Sequence, residues 1–229
     1  MQCVILAAGK GTRMRPLTET CPKPLLKVAG RPILEHIIDA LPKEIDEVVL
    51  VISYLKEQIM EWGGEEFHGR RMVYRIQENP AGGTGDALLR TRDIIHGKFL
   101  FMYGDDIHGK EALAQAVREE HAILATHSPA PERYGVLVPH EDGTLKEILE
   151  KPKNPPTNLI NIGGFVINES IFDFRVPVSE SGELYVTDML TEYAKVNPVK
   201  IIKQDLWLPI GYPQDIPIAE AILGARGVV

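Results

Sequence analysis

Six cations and a single acid stand in the stretch LAAGKGTRMRPLTETCPKPLLKVAGRP, Leu6 to Pro32: Lys10, Arg13, Arg15, Lys23, Lys27 and Arg31 against Glu19. The whole chain carries a formal charge of −7, so the cluster is a local device, placed in a segment built of glycine and proline. Gly9 and Gly11 let a backbone approach an anion closely and present amide N–H groups to it. Arg13 can fork onto phosphate oxygens, while Lys23 acts as a mobile point charge. Pro16, Pro22 and Pro24 stiffen the loop that carries them. The chemistry these residues suit is the binding of a small polyanion. Gly9-Lys10-Gly11 alone reads equally well as a solvated basic turn. Neither common phosphate loop is present: G-x-x-x-x-G-K-[ST] is absent, and Met14 stands where the dinucleotide fingerprint has its third glycine.

Three further stretches could do chemistry. In QENPAGGTGDAL (Gln77–Leu88), a Gln amide can donate and accept at once, as the edge of a pyrimidine base requires, and glycines would let the base lie against the backbone. The same stretch also reads as a glycine turn capped by Thr84, with Asp86 favourable in the first helical turn. FLFMYGDDIHG places Asp105 and Asp106 at the carboxyl end of an apolar strand, where they could cap the next helix. They could equally hold Mg²⁺ through one carboxylate plus waters and substrate phosphates. ILEKPKN gives the pair Glu150 and Lys151, a common solvated device at a strand edge. The seven histidines show no metal-ligand spacing, and His121 and His127 read as surface residues flanking a strand. Cys3 belongs to an apolar strand. Cys21 lies among the cations, which are expected to stabilise its thiolate somewhat. No histidine is placed to assist it.

These residues need a scaffold, and the chain of 229 residues is long enough to bury a sizeable core. Hydrophobic content of 44% and charge of 25% are ordinary for a globular protein. Apolar runs are far shorter than the ~20 residues a membrane helix needs, and QCVILAA has its basic segment after rather than before it, unlike a signal sequence. The expectation is a cytoplasmic protein, with no membrane partner. The acidic balance disfavours nucleic acid, and two cysteines disfavour a disulfide framework.

Val- and Ile-rich runs alternate with amphipathic stretches. Strands are expected at 3–7, 48–53, 72–76 and 99–103, with helices at 32–41, 54–62 and 84–95. Runs buried on both faces suit a parallel sheet covered by helices, which predicts a doubly wound, Rossmann-like α/β fold in which ligands sit beyond the carboxyl ends of the strands. In the second half, strands at 134–138, 145–150 and 159–168 are separated by turns. They predict a smaller, partly antiparallel region, followed by a helix at 186–194, a strand at 199–202 and a helix at 213–224. With no clear linker, 1–229 reads as one lobed domain whose halves are 1–128 and 129–229.

The longer pattern LAAGKGTRMRPLTETCPKPLLKVAGRPILEHII closely resembles the signature of the sugar-1-phosphate nucleotidylyltransferases, G-x-G-T-R-x-R-P-L-T…P-K, and the resemblance continues discontinuously to about residue 220. It implies transfer of a nucleotide from a nucleoside triphosphate to a sugar 1-phosphate with release of pyrophosphate. It implies Arg13 and Lys23 as triphosphate contacts, with Leu6, Ala8, Gly9, Gly11 and Thr12 lining the nucleotide site. It further implies Gln77 with Gly83 (or Gly82, counting from Gln77) and Thr84 around the base, which points to UTP or dTTP. Asp105 matches the metal ligand of the family, with Mg²⁺ as cofactor. Glu150 and Lys151 match residues that face the sugar and its phosphate. NLINIGGFVIN makes Asn161 a sugar contact, Gly135 matches a glycine against which the sugar packs, and Tyr103 falls on the same side.

The resemblance is broken at one place. The family's W-x-D-x-G-T-P-x-D-L reads WLPIGYPQDI here, so Pro209 stands at the second metal ligand and Tyr212 replaces Thr, while Asp215 keeps the later Asp. Either Asp105 with waters and phosphates suffices, or another carboxylate serves, or activity is impaired. Many relatives continue into a left-handed β-helix. This sequence does not, so an acyltransferase activity is not expected and a homo-oligomer would assemble differently. A cytidylyltransferase acting on phosphocholine, or a non-catalytic nucleotide-sensing subunit, are the alternatives.

Overall fold

The computed structural model of the protein describes residues 1–204 and 206–227. The chain opens with β1 (Gln2–Ala7). The basic loop follows, containing two short 3-10 turns, and ends in a small hairpin of β2 (Lys27–Val28) and β3 (Arg31–Pro32). Then come α1 (Ile33–Ala40), β4 (Glu47–Ile52), α2 (Lys56–Gly63), β5 (Glu66–Phe67), β6 (Arg70–Ile76), α3 (Gly83–Leu89) and β7 (Lys98–Tyr103). The chain continues with β8 (Asp106–His108), α4 (Lys110–Ala116) and β9 (Ala122–His127), and the second half adds β10 (Gly135–Pro139), β11 (Leu145–Glu150) and β12 (Leu159–Asn168). It closes with α5 (Val186–Ala194), β13 (Lys200–Lys203), β14 (Trp207–Pro209) and α6 (Asp215–Ala225).

One sheet runs through both halves, in the order β11-β10-β12-β7-β1-β4-β6-β5, with β9 and β13 joining at β12. Its centre, β7-β1-β4-β6, is parallel. The strands of the second half do not form a separate layer. β12 pairs antiparallel with β7, β10 and β9, and an irregularity between Asn161 and Phe165 interrupts the β9 pairing. The alternation along each strand builds the two faces. Cys3, Ile5, Val48, Leu50 and Ile52 pack against Ile33, Leu34, Ile37 and Ile38 of α1. Val4, Val49 and Val51 face the other way, toward Ala87 and Leu88 of α3 and Met189, Leu190 and Tyr193 of α5. Each of these large aliphatic side chains, fully removed from water, contributes roughly 1.5–3 kcal/mol.

The structure departs from the sequence expectations at several boundaries. Pro32 is the residue before α1 and pairs in the hairpin rather than opening the helix. α3 ends at Leu89, well short of Ile95, because the buried Thr91 hydroxyl donates back to the Leu88 carbonyl (2.7 Å) and the chain tightens into turns. The strands β8 and β14 and the helix α4 were not foreseen. His121 is buried, not superficial, with its Nδ1 2.8 Å from the Tyr193 hydroxyl. Among the described residues no helix is long and apolar enough to cross a membrane.

Candidate active site

The first functional side chain is fixed by the basic loop. Lys23 opens the 3-10 turn Lys23–Leu25 and is 8% exposed. Its Nζ donates to Asp105 Oδ2 at 2.5 Å, across to the end of β7. Gly11 stands behind it with φ +60°, where a Cβ would lie 3.0 Å from both Lys23 Cβ and Thr18 Cγ2. This glycine makes room for the lysine stem, and the Thr18 hydroxyl ties its carbonyl at 2.8 Å. Gly9 is different: nothing lies within 4 Å of where its Cβ would be, and its backbone lines a cavity of about 260 Å³. Leu6, Ala8, Lys23, Tyr103 and Asp105 line the same cavity, as do Gln77, Gly83 and Thr84.

Arg13, Gly11 and Thr12 are not among the lining residues. The exposed Arg13 guanidinium instead lies 5.2 Å from the centroid of the Tyr212 ring. That ring is held in place by Asp215, whose Oδ2 accepts from the amides of Gly211 and Tyr212 at 2.7 Å each. Tyr212 thus provides the arginine with an aromatic seat.

At the other wall, Gln77 is 3% exposed, with Nε2 donating to the Gly83 carbonyl and to Asp86 Oδ2, each at 3.0 Å. Asp86 Oδ1 accepts from Arg90 at 2.6 Å. The glycines that follow serve the protein itself. Leu184 N donates to Gly82 O (2.8 Å), Gly85 N to Leu184 O (2.7 Å) and Val186 N to the Thr84 hydroxyl (3.1 Å). Gly83 has φ +85°, and a Cβ there would stand 2.5 Å from Leu184 O. The Gly-Thr-Gly run therefore docks a strap, 182–185, that brings Glu183 and Tyr185 to the cavity. Sequence reasoning missed both residues, since the strap has no periodicity. Its one signal was a cluster of glycines denser than a turn needs.

The residues matched to sugar binding converge beside Tyr103 rather than in the cavity. Gly135 pairs with Glu150 across β10 and β11. A Cβ on Gly135 would meet Glu150 Oε2 at 3.4 Å and Asn161 Cβ at 3.7 Å. Asn161 Oδ1 accepts from Gly163 N (2.9 Å), and its NH₂ has no acceptor among the described residues. Lys151 takes φ +42° and places Nζ 3.5 Å from Glu150 Oε1. Gly163, at φ +80°, leaves space for Tyr103, whose Cδ2 would lie 2.2 Å from a Cβ. Loss of hydration, then the negative charge of Glu150, Asp106 and Asp105, pushes the Tyr103 phenol up. Tyr103 is thus the common neighbour of the two groups.

The paired carboxylates have separate fates. Asp105 lines the cavity, whereas Asp106 is buried and pairs with Pro209 in the β8–β14 ladder. Burial, reinforced by the charge of Asp105 and opposed by Lys23, raises the Asp106 carboxyl well above the usual range. Among the described residues no three His, Cys, Asp or Glu side chains are grouped to hold a metal. A single carboxylate at a phosphate-sized cavity still fits Mg²⁺, which keeps several waters and shares its shell with substrate phosphates. The Cys21 expectation is corrected: desolvation by burial raises its thiol rather than stabilising the thiolate.

The model of the nucleotidyl transferase family matches residues 2–224. The chain belongs to that family. Among nucleotidyl transferases it is 36% identical to the bifunctional protein GlmU of Methanocaldococcus jannaschii over 94% of its own length. It spans about half of that relative, 52%. It is also 36% identical to the UTP–glucose-1-phosphate uridylyltransferase AglF of Haloferax volcanii, with 96% of this chain and 95% of AglF covered. Among solved structures, a putative glucose-1-phosphate thymidylyltransferase from Bacillus anthracis superposes with a TM-score of 0.86 at 25% identity, over 97% of this chain and 94% of its own. A UDP-glucose pyrophosphorylase shares the fold, with a TM-score of 0.83 at 20% identity and 98% of each chain covered.

Proposed function

We propose that this nucleotidyl transferase moves a uridylyl or thymidylyl group from UTP or dTTP to a sugar 1-phosphate. An oxygen of the sugar phosphate attacks the α-phosphorus in line, a new P–O bond forms, the bond to the β-phosphate breaks, and pyrophosphate leaves. The observation that carries this reading is the Lys23–Asp105 pair at 2.5 Å, set between the glycine loop and the end of β7 in the cavity that Gln77 also lines. No covalent enzyme intermediate is needed, because alignment and charge neutralisation do the work. Gly9 offers an open backbone to phosphates. Lys23 leaves its carboxylate partner to meet the α-phosphoryl charge and the departing pyrophosphate. Arg13, seated on Tyr212, closes on the triphosphate from outside. Gln77 and Gly83 hold the base, while Glu150, Lys151, Asn161 and Gly135 receive the sugar phosphate beside Tyr103. Asp105 would hold Mg²⁺, which supplies neutralisation of phosphate charge when bound.

The relatives named for glucose-1-phosphate uridylyl and thymidylyl transfer support this reading. The test is pyrophosphate release from a matrix of nucleoside triphosphates against common sugar 1-phosphates and phosphocholine, with and without Mg²⁺. Metal-dependent release with UTP or dTTP and one sugar phosphate is expected. Release only with CTP and phosphocholine, or silence with nucleotide still bound by calorimetry, would replace it with one of the other two readings.

A further inference from the structure

The way Gln77 is held reaches beyond its matching a base-contact position. Its amide nitrogen faces two acceptors, the Gly83 carbonyl and the carboxylate oxygen Asp86 Oδ2, each at 3.0 Å. Both N–H groups are therefore spent inside the protein, and the amide cannot rotate by half a turn without facing oxygen with oxygen. Asp86 is itself fixed. Arg90 donates to its other oxygen at 2.6 Å, and its carboxylate lies in the space a side chain on Gly82 would take, with Cγ 2.8 Å from where a Cβ would stand. Gln77 Oε1 accepts no hydrogen bond among the described residues, is not shut off from solvent, and belongs to a residue that lines the cavity.

We infer that Asp86, backed by Arg90, is a specificity-determining positioning residue that locks Gln77 as a pure acceptor. The site thereby selects bases with an N–H at the ring position of the pairing edge, uracil or thymine, over cytosine. Cytosine in the same pose would turn its N3 lone pair toward Oε1. This rests on the nucleotidyl-transfer reading above and adds what fixes the orientation of the base-contact residue.

The test is the ratio of kcat/KM for UTP (or dTTP) to that for CTP, with the preferred sugar 1-phosphate, in the wild type and four variants. An unpaired buried acceptor facing a lone pair predicts a wild-type ratio on the order of 10–100 or more. In Asp86→Asn the charged donor Arg90 keeps the new amide's oxygen, so its nitrogen faces Gln77 and opposes the amide's orientation. The ratio is expected to fall by about tenfold. In Asp86→Asn with Arg90→Ala, the Asn is free to turn its oxygen back to Gln77, and the preference is expected to return. Arg90→Ala alone should keep it. A merely structural role would not give a loss that a second deletion repairs.

Gly82→Ala displaces the same carboxylate from another side and should lower the ratio as well. It serves if Asp86→Asn does not fold, which its melting curve reports. An unchanged ratio in a folded Asp86→Asn or Gly82→Ala, or no rescue in the double variant, overturns the inference and leaves the transferase reading standing. A wild type that turns over CTP as well as UTP overturns it in the same way. A wild type that neither binds nor turns over any nucleotide sinks both.

Discussion

In the proposed reaction Lys23 and Tyr212 serve the same ligand, and their expected effects differ in kind. Lys23 is buried against Asp105 and, in the proposed reaction, would meet charge that develops in the transition state. Lys23→Ala should lower kcat by on the order of 10²–10³, as loss of other preorganised charge stabilisers does, and steady-state kinetics with saturating substrates would reveal it. Near-normal turnover would remove Lys23 from the mechanism. Tyr212 acts only by seating Arg13 at 5.2 Å. An exposed cation–π contact is worth roughly 0.5–1 kcal/mol, so Tyr212→Ala should raise the nucleotide KM about two- to fivefold with kcat kept, and Tyr212→Phe should restore it. A Phe variant as weak as Ala would show that the hydroxyl, not the ring, matters. The sequence made Lys23, Asp105 and Gln77 legible because their chemistry is tied to short local motifs. The partner of Arg13 was not legible, since contact between residues 13 and 212 is made by the fold.

At the scale of elements, the strap and the α3 turn form one unit. Gly83→Ala puts a Cβ 2.5 Å from Leu184 O at a backbone angle of +85°, so the strap must leave or the turn must reshape. The expected result is a loss of about 2 kcal/mol or more in unfolding free energy. With it should come weaker nucleotide binding by calorimetry and faster cleavage of 174–185 by a protease. A variant with unchanged protection there would mean the strap is held elsewhere. The long strands and α1 were readable from period and length. β8 and β14, three residues each, are too short to show alternation, and the proline in β14 argues against a strand. α3 was overestimated because its pattern continues past Leu89, while the Thr91 hydroxyl bonding back to Leu88 O is a buried, three-dimensional fact.

For the whole molecule, a buried imidazole contributes to acid sensitivity. His108 is 2% exposed, its Nδ1 is 2.7 Å from Gln204 Nε2, and burial depresses its pKa from 6.5 to about 3. The folded state keeps this ring neutral while the unfolded chain protonates it. The unfolded state thus binds more protons between about pH 6.5 and 3, and stability is lost as pH falls through that window, by about 1.4 kcal/mol per pH unit at most. Denaturant unfolding at pH 7 and pH 5 should show a fall that shrinks by about 1–2 kcal/mol in His108→Asn. An unchanged fall would place the acid sensitivity in other groups.

The single sheet has a consequence for how the protein is made. β7 lies at its centre with Phe99 to Met102 fully buried, and one of its edges is completed only by β12. During synthesis β1 can pair with β4 on one side and with β7 on the other, yet Phe99–Tyr103 must leave the ribosome with its other side bare until β12 is translated. A half-built sheet with an open apolar edge invites pairing with the wrong strand. The nascent chain is therefore most in need of a chaperone after Tyr103 has emerged and before Leu159 has.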